Sequence, residues 1–176
     1  MMIKFSRFSL AFLSGCNLLL LLASWVMMVY AYSRLPSEIP LWLNLAQQPV
    51  YKFPKSPIIF LYPMAQTAGC VIFWLVGRLW VDKPGKAREK HNEHISFSAK
   101  ASDGYQQYIK REIVLLALVF YNLIFIHLER SLIWLAHGLA AGVNKVYFLS
   151  LILAMLLMIP YYRLRLKIAR SLGYLK

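Results

Sequence analysis

The sequence predicts an all-α membrane protein with four transmembrane helices. Three observations lead there. The chain has 176 residues, 60% of them apolar, and a mean hydropathy of +0.54, whereas a soluble domain carries about 45–50% apolar residues. The apolar residues fall into four runs of membrane-crossing length. The lysines and arginines behind the formal charge of +13 avoid those runs and gather at their ends. That placement separates the chain from nucleic-acid binders, whose basic residues form a patch or stripe.

A membrane-crossing helix needs about 20 residues at about 1.5 Å each. The first span covers about residues 8–32 and includes "NLLLLLASWVMMVYAY". The second covers about 58–81, "IIFLYPMAQTAGCVIFWLVGRLWV", and the third about 113–134, "IVLLALVFYNLIFIHLERSLIW". The fourth covers about 146–162, with Tyr161 and Tyr162 suited to the interface and Pro160 set to kink or end it. The whole chain reads as one integral membrane domain.

Basic residues set the expected orientation. Fifteen lie before the first span, around the loop 82–112 or after the fourth span. Five lie on the other side: Arg34, Lys52, Lys55, Arg130 and Lys145. Both termini and the loop 82–112 are therefore expected in the cytoplasm, and the connector 33–57 outside. Trp25, Trp42, Trp80 and Trp134 lie near span ends or in the outer connector, as interfacial aromatics do. The expected location is the cell's inner, cytoplasmic membrane. The tail 163–176 places Leu164, Ile168 and Leu172 on one helical face among basic residues, which reads as an amphipathic helix on an anionic leaflet.

Two processing signals compete with a retained first span. "LSGC", Leu13–Cys16, matches a bacterial lipobox, but "NLLLLLASW" follows it where a polar tether belongs. "VYA", ending at Ala31, resembles a signal-peptidase site, but the apolar run before it exceeds the usual core of about 7–15 residues. A signal anchor that stays is the better reading. The two cysteines, Cys16 and Cys70, each sit in a span and read as small buried or lipid-facing residues.

Within the loop 82–112, Pro84-Gly85 is a turn signal. Ile95, Phe97 and Ala99 alternate with polar residues before Asp103-Gly104, a hairpin signal, so a small cytoplasmic β-hairpin is expected there. His91 and His94, with Glu89 and Glu93, form a weak metal pattern better read as solvated charge. The third span holds Asn122, His127, Glu129 and Arg130. Ionisable groups inside a span are functional candidates by default. His127 and Arg130, three apart, share a helix face, and Asn122 and Glu129, seven apart, also share a face. A structural hydrogen-bond or ion-pair role outweighs a ligand or proton role for them.

Arg34 to Lys55 holds four of the eight prolines, Pro36, Pro40, Pro49 and Pro54, and no glycine. Prolines fix φ and hold their preceding residues extended, so the connector reads as a rigid hook that caps the bundle or meets a partner. The run "LPSEIP" followed by Asn44, Pro49 and Lys55, then an apolar helix carrying Pro63, resembles an uncharacterised domain of bacterial multi-pass membrane proteins. The SdpI-like toxin-immunity proteins are its best-known members. The family pattern runs roughly L-P-x-x-I-P-x-H-x-N-x-x-G-x-P-D-x-x-x-x-K, and Leu35, Pro36, Ile39, Pro40, Asn44, Pro49 and Lys55 match it. Trp42, Gln47 and Val50 stand where that pattern has histidine, glycine and aspartate. The resemblance covers the first 65–80 residues. It implies the membrane fold and an immunity- or sensor-like role, without the ligand capacity that the histidine and aspartate would confer. Trp42 then suits an interfacial or protein contact.

No nucleophile–base–orienter set, phosphate loop or carboxylate pair appears, so no enzyme activity and no cofactor or metal is expected. The expected partners are the lipid bilayer and another membrane or secreted protein, not nucleic acid. The alternative is a small transporter or ion conductor using the polar residues of the third span.

Overall fold

The computed structural model describes residues 2–43, 49–81, 96–140 and 142–171. Four helices are long and apolar enough to cross a membrane: Phe8–Arg34, Pro57–Val81, Gly104–Ala136 and Lys145–Ser171. They belong to α1 (Met2–Arg34), α2 (Leu61–Val81, preceded by a 3-10 turn at Pro57–Phe60), α3 (Ser96–Ala136), α4 (Lys145–Leu156) and α5 (Met158–Ser171). Between α1 and α2 lie two strands, β1 (Glu38–Leu43) and β2 (Pro49–Pro54).

Local chemistry explains the element ends. Ser56 caps the 3-10 turn by accepting from the Ile58 amide, and Pro57 follows, where a missing N–H costs nothing. α3 ends at Ala136, and Gly138 just beyond it takes a φ of 69°, which suits glycine. There the Leu139 amide donates to the Trp134 carbonyl (2.9 Å) and the Gly138 amide to Leu135 (3.1 Å), which satisfies two terminal carbonyls. Asn144 then caps α4 through the Tyr147 amide. The helix breaks at Leu157, between α4 and α5. Pro160 has no N–H to give the Leu156 carbonyl, which accounts for the break.

α3 is the central helix, packed against α1, α2, α4 and α5. It is parallel to α1, since Asn17 meets Asn122 and Ser24 meets Glu129. It is antiparallel to α2, since Ala65 meets Tyr121 and Trp80 meets Lys110. The α4–α5 arm is antiparallel to α3 as well, with His127 against Tyr147 and Glu112 against Arg165. The outer faces carry exposed Leu19, Val26, Ile72, Leu79, Val146 and Leu149. In water such a surface would aggregate, and hydrocarbon is the solvent that suits it.

Lipid tails are as apolar as leucine, so helix association in a membrane relies on close contact and interhelical hydrogen bonds. α2 shows the first of these. A Cβ on Gly69 would overlap the Tyr121 ring, and one on Gly77 would lie 2.9 Å from a Val114 methyl. Both glycines let α2 approach α3 closely.

Two expectations change. The hairpin expected at Asp103-Gly104 is absent, because residues 96–112 form the first turns of α3. Tyr105, Tyr108, Ile109 and Ile113 recur at helical spacing, and this stripe packs on Tyr161, Tyr162, Leu166 and Ala169 of α5. An isolated hairpin would have had no such cover. The connector, read as a proline hook, does contain an antiparallel β-hairpin, β1 with β2. Residues 82–95, with Pro84-Gly85, His91 and His94, lie outside the described residues.

Candidate functional site

The two groups of candidate residues occupy different levels of the molecule. The first is the connector hairpin. Its register pairs Glu38 with Pro54, Ile39 with Phe53, Pro40 with Lys52, Trp42 with Tyr51 and Leu43 with Pro49, with irregularities on either side of Trp42. Pro40 cannot donate to a ladder, and the adjacent bulge is the usual accommodation for a proline inside a strand.

Two contacts fasten the hairpin to the bundle, and a third bond closes its open end. Ile39 is fully buried in a cluster with Met28, Leu35 and Ile59, flanked by Tyr32, Phe60 and Ala136. Lys55 Nζ donates to the Ser33 and Leu35 carbonyls, 3.2 Å each, at the end of α1. A cation is favoured there, where helix carbonyls lack partners. The Lys55 amide donates to the Ser37 carbonyl at 2.7 Å. Nearby, the His137 ring lies between the Ile133 and Arg34 carbonyls, which ties the ends of α3 and α1. Of the connector residues singled out above, Leu35, Ile39 and Lys55 therefore bind the hairpin down. Pro40, Trp42 and Pro49 belong to its ladder, and Pro36 leads into it. Asn44 lies outside the described residues. Tyr51 remains well exposed on β2.

The second group lies inside the bundle. Asn122 is fully buried on α3. It donates to Asn17 Oδ1 of α1 at 2.9 Å, and its own Oδ1 accepts from Gln66 Nε2 of α2 at 2.8 Å and from Cys70 Sγ at 3.3 Å. Asn17 in turn donates to the Leu13 and Leu115 carbonyls. Beside this cluster, Trp25 Nε1 donates to Thr67, which donates to the Pro63 carbonyl. Seven residues along α3 from Asn122, Glu129 is also fully buried, and the Ser24 hydroxyl lies 2.8 and 2.7 Å from its two carboxyl oxygens. The two polar sites recur every seven residues on both helices, as parallel packing of α1 on α3 requires.

His127 and Arg130 do not join this cluster. His127 turns to α4, its ring 4.5 Å from that of Tyr147. Arg130 is exposed and stacks over Trp134 at 4.1 Å. The four candidates of the third span thus divide, with Asn122 and Glu129 inward and the other two elsewhere. Sequence reasoning missed Asn17, Ser24 and Gln66. Each is a polar residue inside an apolar run, the same signal that drew attention to Asn122. Both cysteines are free thiols.

Chemically, the interior cluster is a set of hydrogen bonds between helices, with Gln66 Oε1 left without a partner. Among the described residues no three His, Cys, Asp or Glu side chains gather to hold a metal ion. Comparison of the chain with protein-family models, with curated proteins and with solved structures finds no match.

Proposed function

We propose that this chain is a non-enzymatic multi-pass protein of a bacterial cytoplasmic membrane that binds another membrane or secreted protein through its outer hairpin. The observation that carries the reading is the fastening of β1 and β2 to the bundle by Ile39 and Lys55. A strand pair held this firmly is a prepared surface, and binding to it costs little ordering entropy. Tyr51 offers an exposed aromatic of the kind enriched at protein interfaces. The resemblance of "LPSEIP" and the residues after it to SdpI-like immunity proteins supports the same side of the membrane and an immunity- or sensor-like role.

In this reading both termini face the cytoplasm, because fifteen of the twenty basic residues lie at that end. The chain forms one membrane domain. The internal engagement of Asn122 and Glu129 favours a binding role over a conduit, whose polar groups would have to meet water or a passing ion.

The test is co-purification from native membranes in mild detergent, followed by mass spectrometry. Changing Trp42 and Tyr51 to Ala should remove the partner, while Glu129→Gln should leave it. Retention of the partner by the hairpin variant, or loss of ion flux in vesicles with Glu129→Gln, would overturn the proposal.

A further inference from the structure

α1 and α3 run parallel, so their carbonyl ends finish side by side next to the connector hairpin. Each such end carries about half an elementary negative charge, and a cation set between two of them is favoured. Lys55 serves α1 alone, through the Ser33 and Leu35 carbonyls. His137 bridges the two helices. Its Nδ1 lies 2.8 Å from the Ile133 carbonyl oxygen of α3, and its Nε2 lies 3.1 Å from the Arg34 carbonyl oxygen of α1. A carbonyl oxygen only accepts, so each contact needs an N–H on the ring. Neutral imidazole has one N–H and imidazolium has two. We propose that His137 is a proton-operated clamp: its protonated ring joins the carbonyl ends of α1 and α3, and loss of the proton frees one of them and loosens the hairpin.

The clamp is placed to act on the hairpin. Ala136, its neighbour in the chain, packs on the cluster of Met28, Leu35, Ile39 and Ile59 that seats β1. α3 also lies directly against β1. His137 is exposed, so a proton reaches it without crossing the bundle. Histidine changes charge between about pH 5 and 8. The other ionisable groups come from each element at this end. Arg34 of α1 lies 4.1 Å over the Tyr30 ring, and Lys55 lies 5.1 Å over the Tyr32 ring. Arg130 of α3 lies 4.1 Å over the Trp134 ring. Glu38 of β1 and Lys145 of α4 are exposed. The cations oppose a further charge there, and the two helix ends favour it. The clamp is therefore made in acid and released as the pH rises. It needs no partner protein and stands whatever the hairpin binds.

The test uses the full chain in lipid nanodiscs at about pH 5 and about pH 8. Nitrogen NMR of protein labelled in histidine counts the protons on each ring. Among the four histidines, the His137 signal is the one absent from His137→Gln. Spin labels at Tyr51 on β2 and at Leu139 beyond α3, both exposed, report how tightly the hairpin holds its distance from the bundle. The two native cysteines are changed to serine for this labelling. In acid, the His137 ring should carry two N–H groups and the label distances should form one narrow population. At the higher pH, one N–H should remain, and the ratio of loosened to seated hairpin should rise about three- to tenfold, the share of one exposed charge-assisted hydrogen bond. His137→Gln, which keeps a single donor, should show the loosened population at both pH values. The same narrowing in acid without His137 would place the switch elsewhere and overturn the proposal. So would wild-type distances that ignore pH, or a His137 ring with one N–H in acid.

Discussion

Replacing Asn122 by Leu should destabilise the bundle by about 2–6 kcal/mol. The substitution nearly conserves volume and removes the bonds to Gln66 and Asn17, at 2.8 and 2.9 Å, together with the longer one from Cys70. Interhelical hydrogen bonds in membranes contribute about 0.6 kcal/mol on average and up to about 1.7. Two good ones give about 1–3 kcal/mol. Gln66 adds to the cost. It is fully buried, and its Oε1 has no partner already. Losing Asn122 strands the Nε2 end as well, and a buried polar group left unmade costs about 1–3 kcal/mol. Asn17 suffers less, because its Nδ2 keeps the Leu13 and Leu115 carbonyls. Adding Gln66→Leu should therefore restore stability to within about 1 kcal/mol of wild type, since removing both partners of a buried bond approaches neutrality. The assay is reversible unfolding in mixed micelles titrated with dodecyl sulfate, read by tryptophan fluorescence, for the four proteins of the cycle. The reasoning fails if Asn122→Leu costs under about 0.5 kcal/mol, or if the two substitutions simply add.

Ser24→Ala leaves the buried Glu129 without its donor and should cost about 1–3 kcal/mol in the same titration. Ser24→Ala/Glu129→Leu should recover most of it. Ile39→Ala opens a cavity among Met28, Leu35 and Ile59 and should cost about 2–5 kcal/mol, read as early protease cleavage between residues 35 and 57. Ala169→Phe inserts a ring where α5 lies against Ile109 and Ile113, and should undock α5. A widened spin-label distance between α5 and α3 would report it. Glu112→Gln should cost under about 1 kcal/mol, because Arg165 is about one third exposed and solvent screens the pair.

The four helices were legible because hydrocarbon imposes a blunt rule, about 20 apolar residues per crossing. The residues near Asp103-Gly104 were misread because a turn signal is local and its outcome is not. Tyr105, Tyr108, Ile109 and Ile113 also fit a helical stripe, and the α5 face that covers that stripe decided between the two. In the connector, prolines signalled stiffness, but pairing of Ile39 with Phe53 and Trp42 with Tyr51 is a long-range fact that proline content does not encode. For the interior site, Asn122 and Glu129 stood out as polar intruders at a shared face. Their partners Asn17, Ser24 and Gln66 carried the same signal more quietly, and only the parallel packing of α1 on α3 shows which intruders meet.

The 41 residues of α3 have a further consequence. At about 1.5 Å each they make a rod of about 60 Å, twice the roughly 30 Å thickness of the oily layer. A crossing uses only about half of that length, so the remainder of α3 forms a mast beyond the oily layer, with the turns that carry Tyr105, Tyr108, Ile109 and Ile113 braced by α5. The Glu112–Arg165 strut is then set where ions can reach it. Rising ionic strength should loosen the mast while the deeper hydrogen bonds stay indifferent.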